Sequence, residues 1–197
     1  IQKCTFLLRP ANYPYGNPGR GYRIYTVGER KIAVISLLGQ SGFTRVHLSN
    51  PFIHLPEIVA KVKQETPIVI LDFHATTTAE KTTMFNHADG KISAVIGTHT
   101  KVLTADERIL PGGTGVICDT GRTGSQNSVG GLDTDIEVQK LLTQIPERSR
   151  DAWDLLALQG ALLEIDETSG RTVAIERVMV PCKEVPEHER EGNGPED

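Results

Sequence analysis

The sequence predicts a mixed α/β domain in which a sheet carries helices on its outside. Three observations support this. The apolar runs Pro67–Phe73 and Ile92–Ile96 lack alternation, the pattern of strands buried on both faces. Segments of helical pattern lie between and before them, and antiparallel hairpin patterns flank them at either end. At 197 residues, with 38% hydrophobic and 23% charged content, the chain is long enough to bury one core and too apolar for wholesale disorder.

In chain order, residues 10–21 hold three prolines and three glycines and read as a surface loop. Tyr22–Val27 and Lys31–Leu38, separated by Gly28-Glu-Arg30, read as a hairpin. Pro56 at a first helical turn, with Ile58, Val59 and Val62 on one face, marks a short amphipathic helix. The strand Pro67–Phe73 ends at His74. Thr78–His87 reads as a helix closed by Asp89-Gly90, and Ile92–Ile96 as a strand ending at Gly97-Thr-His99. Arg108-Ile-Leu110 and Gly115–Cys118 flank a Pro-Gly-Gly turn. A long Gly/Ser/Asn loop from Gly121 to Gly131 precedes a helix over 133–144, with Asp133 as its N-cap. Leu155–Ile165 and Thr172–Val180 form a closing hairpin, and residues 181–197 read as a disordered tail after a single domain over 1–180.

The net charge of −4 gives no broad cationic surface, so a nucleic-acid duplex is not an expected partner. No apolar run approaches the roughly 18–20 residues that span a bilayer, so a membrane is not expected either. Cys4, Cys118 and Cys182 form no CxxC pair, which argues against a disulfide framework or a structural zinc knot and suits a reducing cytoplasm.

The chemistry concentrates at His74 and His99, two imidazoles at the carboxyl ends of buried strands, where open α/β sheets collect ligands. Strand capping and metal ligation both fit a histidine so placed. Asp106 and Glu107 are acid/base candidates, but an exposed turn suits them better. The run Gly121-Arg-Thr-Gly-Ser125 is neither GxxxxGK[ST] nor GxGxxG, which disfavours a phosphate loop and a dinucleotide-dependent oxidoreductase alike.

The strings Arg9-Pro-Ala-Asn-Tyr-Pro14, Asp72-Phe-His-Ala75, Gly97-Thr-His-Thr100, Thr104-Ala-Asp-Glu-Arg-Ile-Leu-Pro111, Gly113-Thr114 and the segment Asp119 to Gly124 resemble the YmdB-like metallophosphoesterases. The resemblance runs from Leu8 to about Val180. It implies a four-layer α/β/β/α sandwich with mixed sheets, a centre of two divalent ions (Mn, Fe or Mg) and hydrolysis of phosphodiesters such as 2′,3′-cyclic nucleotides. By matching position it makes His74 and His99 metal ligands and puts Asn12 and Tyr13 beside the pocket mouth. Arg122 is a candidate phosphate contact. The family's first strands, with its Asp, Glu and Asn ligands and its catalytic His, have no counterpart here, so an amino-terminal part of the fold is expected to be missing.

Two departures matter. Lys101 stands where the family pattern has a second His, and an ammonium has no lone pair to give a metal. Thr76 stands where an acidic residue is usual. Strand alternation should aim Lys101 the same way as His99. The resulting expectation is a phosphodiesterase with an incomplete or impaired site; a non-catalytic binding or scaffold protein on the same fold is the alternative. An incomplete sheet edge, exposed apolar surface and a homo-oligomer are also expected.

Overall fold

The computed structural model describes residues 1, 3–43 and 46–182. Two compact units emerge where the sequence suggests one domain. The first comprises Ile1–Gly121 with Ala161–Arg177; the second comprises residues 122–160 with the strand end from Val178. The division runs through a hairpin, so no break in composition marks it.

The first unit is built on a six-stranded sheet. Strand β1 (Tyr22–Val27) pairs antiparallel with β2 (Arg30–Leu38). Then β2, β3 (Val69–His74), β4 (Ala94–Thr98) and β6 (Gly115–Ile117) run parallel, and the two-residue β5 (Arg108–Ile109) closes the far edge antiparallel to β6. The mixed α/β class is as expected. The central strands of this sheet are paired on both sides among the described residues, so its open edges are β1 and β5, while a second, three-stranded sheet leaves a ten-residue strand, Thr172–Pro181, as an edge.

One face of this sheet is the core. Ala33, Ile35 and Leu37 of β2 stand in register with Val69, Leu71 and Phe73 of β3, all fully buried. They meet α1 (Pro51–Val62) through Leu55, Ile58, Val59 and Val62, and α2 (Thr78–Ala88) through Met84, Phe85 and Ala88. Helix α1 starts earlier than Pro56 suggests. Asn50 caps it by accepting from Phe52 N at 2.9 Å, and Pro51 takes the first helical position, where its missing N–H costs nothing. Pro56 lies inside and only forgoes the bond to the Phe52 carbonyl.

The opposite face carries Val34, Ile70, Asp72, His74, Ile96 and Thr98, all half-buried. Near β6 it is covered by the hairpin of β8 (Leu156–Ile165) and β9 (Thr172–Pro181): a side chain at Gly115 would strike Thr172 at 2.9 Å and Leu163 at 3.2 Å. Thr172 Oγ1 also donates to Ser93 O at 2.7 Å. A helix layer, a sheet and a strand layer are thus stacked within this unit.

In the second unit β7 (Gly124–Ser125) pairs antiparallel with the start of β8. Helix α3 (Thr134–Thr143) has the expected cap, with Asp133 accepting from Ile136 N at 3.1 Å. It buries none of its residues, and Val138, Leu141, Leu142 and Ile145 are exposed. The expected exposed apolar surface is therefore present, on this helix and also on strands β8 and β9, where Leu158, Leu162, Val173, Met179 and Val180 are exposed. The strand β9 continues to Pro181, and Cys182 N still donates to Leu156 O, so pairing outlasts the expected tail boundary; residues 183–197 lie outside the described residues.

Candidate metal centre

Parallel pairing of β3 with β4 sets His74 opposite Thr98, so His99 is the next residue along. The backbone of His99 then turns to φ 126°, outside the strand region, and swings its ring back across β3. His99 Nδ1 comes to 3.1 Å from His74 Nε2, with ring centroids 5.0 Å apart and nearly perpendicular. The Phe43 ring lies 5.7 Å from both imidazoles and walls one side of the pair.

A relay behind His74 fixes its tautomer. Thr98 Oγ1 donates to Asp72 Oδ1 at 3.4 Å, which leaves its lone pair facing His74 Nδ1 at 3.0 Å. Nδ1 therefore carries the proton, and Nε2 presents a lone pair toward His99. Burial pushes the His74 pKa down, and the charges of His99 and Lys81 push it further while Asp119 opposes them. The ring is neutral at pH 7, the form that ligates metals. Burial raises the pKa of Asp72 despite the bonds from Thr98 and Ser36.

The loop after β4 is tied down from beneath. Asp119 Oδ2 accepts from Thr100 N at 2.7 Å and from Lys81 Nζ at 3.3 Å, and its Oδ1 accepts from Gly121 N at 3.0 Å. Lys81 and Asp119 are each 1% exposed. At Gly97 the strand presses so closely on the neighbouring chain that an added Cβ would sit 2.0 Å from Cys118 O. The sequence motifs assign no role to Asp72 or Lys81. The signal for Lys81 was its spacing with Met84, Phe85 and Ala88, which puts an ammonium on the apolar stripe of α2 and calls for a buried counter-charge.

The other predicted residues behave differently. Lys101 is exposed, with φ 61°, and makes no hydrogen bond or ion pair among the described residues. Because His99 and Lys101 both leave extended geometry, the strand alternation on which a shared direction was expected does not extend to Lys101. Asn12 is fully buried and spent on structure: its amide donates to Leu38 O and Ser49 O and accepts from Leu38 N. Tyr13 is half-buried.

Arg122 belongs to the second unit, where its guanidinium donates to Ser125 O and Ser128 Oγ. It fills the space where a Cβ on Gly124 would come within 2.5 Å, so that glycine clears room for the arginine. Asp106 and Glu107 are half-buried, not exposed: Asp106 Oδ1 accepts from Cys118 N at 3.1 Å, and Glu107 pairs with Arg177 at 2.7 Å. Thr76 Oγ1 donates to Ser41 O at 2.7 Å, and Glu80 accepts from Gln40 N and Ser41 N, so together they hold the loop that bears Phe43.

Two nitrogen donors converge here, and that suits a divalent transition ion as part of its ligand set. No group of three or more His, Cys, Asp and Glu side chains placed to hold a metal occurs among the described residues.

Comparison with known proteins adds the family context. A family profile described as YmdB-like protein matches residues 1–178. A 2′,3′-cyclic-nucleotide 2′-phosphodiesterase from Bacillus subtilis is 38% identical over 180 residues, covering 91% of this chain and 67% of the relative. Among solved structures, a hypothetical protein from Thermus thermophilus superposes with a TM-score of 0.80 at 32% identity, covering 88% of this chain and 67% of its own. A phosphatase structure from Mycoplasma pneumoniae gives a TM-score of 0.80 at 29% identity, covering 88% and 63%. The chain therefore spans about two thirds of the length of the proteins it matches.

Proposed function

The chain belongs to the YmdB-like family, and from that premise we propose that it serves a metal-dependent phosphodiesterase acting on small phosphodiesters, 2′,3′-cyclic nucleotides among them. The observation that carries the reading is the 3.1 Å approach of His74 Nε2 to His99 Nδ1 from two different strand ends. An approach this close brings a ring nitrogen of each histidine within reach of one ion, and imidazole nitrogen is a common ligand for divalent transition metals. The name of the Bacillus relative supports the substrate class.

His74 and His99 would hold a divalent ion of the Mn, Fe or Mg class. Such an ion supplies Lewis acidity toward a phosphoryl oxygen and lowers the pKa of water. The chain's own residues prepare the place. Thr98 and Asp72 keep the His74 proton on Nδ1, and Phe43 lies against both rings. A second ion would need donors beyond this pair, since Lys101 offers none while protonated. The three cysteines are free, which fits work in a reducing cytoplasm, and among the described residues no helix is long and apolar enough to cross a membrane.

The test is Mn²⁺ binding by calorimetry together with Mn²⁺-dependent turnover of 2′,3′-cyclic AMP and bis-p-nitrophenyl phosphate. We expect His74→Ala and His99→Ala each to weaken Mn²⁺ binding at least about tenfold, the scale seen for perturbed metal sites. Mn²⁺ binding that neither substitution weakens removes the metal assignment. Binding without turnover of either substrate favours the scaffold alternative.

A further inference from the structure

Lys81 and Asp119 form a pair that stability alone does not account for. Two opposite charges, each 1% exposed, meet at 3.3 Å beneath the loop that carries His99. Removing such charges from water costs about as much as their attraction returns, and well-packed apolar residues of similar size commonly serve a core equally well or better. The carboxylate is also spent in a particular way. One oxygen takes the N–H of Thr100, the residue directly after His99, at 2.7 Å; the other takes the N–H of Gly121 at 3.0 Å. The Asp119 backbone is itself bound to Thr104, its N–H donating to Oγ1 at 2.9 Å and its carbonyl accepting from Thr104 N at 3.0 Å.

Meanwhile His99 sits at φ 126°, which a non-glycine residue adopts only when its surroundings hold it there. The bond to Thr100 N is charge-assisted and acts one residue from the strained position. Lys81, rooted in α2, holds the carboxylate in place inside the core.

We propose that Lys81 and Asp119 are positioning residues for the imidazole pair: they clamp the peptide after His99 so that its ring turns back onto His74. This rests on the functional reading above for its purpose, but the geometry is tested without metal. Neither residue touches the reacting atoms. Lys81→Met alone leaves a buried carboxylate uncompensated and risks unfolding, so the informative variants are double. Lys81→Met/Asp119→Leu removes both charges and the clamp, whereas Lys81→Met/Asp119→Asn removes the charges and keeps one oxygen for Thr100 N.

Three quantities are read on the whole chain: melting temperature, hydrogen exchange at the Thr100 amide, and the proton–proton NOE between the His74 and His99 rings. The Leu variant should melt close to the unaltered protein. Its Thr100 amide should exchange about tenfold faster or more, the scale of one charge-assisted hydrogen bond, and its ring NOE should vanish. The Asn variant should recover the NOE and most of the protection. Mn²⁺ affinity should follow the NOE, falling at least tenfold in the Leu variant. A ring NOE that survives in a folded Leu variant overturns the proposal, as does an Asn variant that restores nothing. Failure of the unaltered protein to bind Mn²⁺ counts against the phosphodiesterase reading and leaves the clamp to be judged on the amide and the NOE.

Discussion

His99 is where backbone strain and chemistry coincide. Its φ of 126° costs roughly 1–3 kcal/mol for a residue with a Cβ. Glycine escapes that cost but gives back about 0.5–1 kcal/mol as unfolded-state entropy. His99→Gly is therefore expected to gain on the order of 1 kcal/mol, a rise of about 2–4 °C in melting temperature for a chain of this size, while Mn²⁺ affinity drops. Calorimetric melting and titration of the same two samples check both halves. A variant that melts below the unaltered protein would show that no strain is released there. Sequence patterning made the His74 and His99 positions legible because both follow buried strands. Its alternation rule does not reach Lys101, because alternation presumes extended backbone and His99 and Lys101 both have positive φ. Nor could it assign Asn12, whose amide is consumed by contacts with Leu38 and Ser49, 26 and 37 residues away.

Among the elements, β3, α2 and β4 were legible to within two residues at each end, since apolar runs and caps are local signals. Helix α1 was not, because Pro56 drew the start into what is the helix interior while Asn50-Pro51 held the cap. The short β5–β6 pair has a consequence for thiol chemistry. Cys118 follows β6 directly, is nearly fully buried, and its thiol is pushed up to about 12 by burial first and by the neighbouring Asp106 second. With so little thiolate at neutral pH, it should resist alkylation and disulfide exchange. Thiol counting with a chromogenic disulfide at pH 8 should find exposed Cys182 reacting fast, Cys4 more slowly, and Cys118 only after denaturation. Three fast thiols in the folded protein would contradict this placement.

Across the whole molecule, the division into two units was invisible to sequence patterning, because it depends on which segments touch and not on what they contain. The second unit shows its consequence at α3, where Leu141 is 76% and Leu142 73% exposed and no residue is buried. A helix of that length gains too little from propensity alone to be robust, and an uncovered apolar stripe invites association. Leu141→Lys/Leu142→Lys should change stability by less than about 0.5 kcal/mol, as exposed sites do, while raising the concentration at which light scattering first appears. A loss of several degrees in melting temperature would mean that both side chains are covered in solution.

The imidazole pair also bears on chain topology. His74 and His99 stand 25 positions apart and enclose α2 and β4, the crossover that leads from the end of β3 to the end of its parallel neighbour. Whatever joins the two rings closes that crossover into a ring of chain. A covalent link around a loop of this size lowers the entropy of the unfolded state by the equivalent of about 3–4 kcal/mol. A non-covalent bridge works in the same direction to the extent that it persists. The motif that would gather a ligand is thus also a fastener, and its closure would secure first the parallel strand pairing that forms slowest in an open chain.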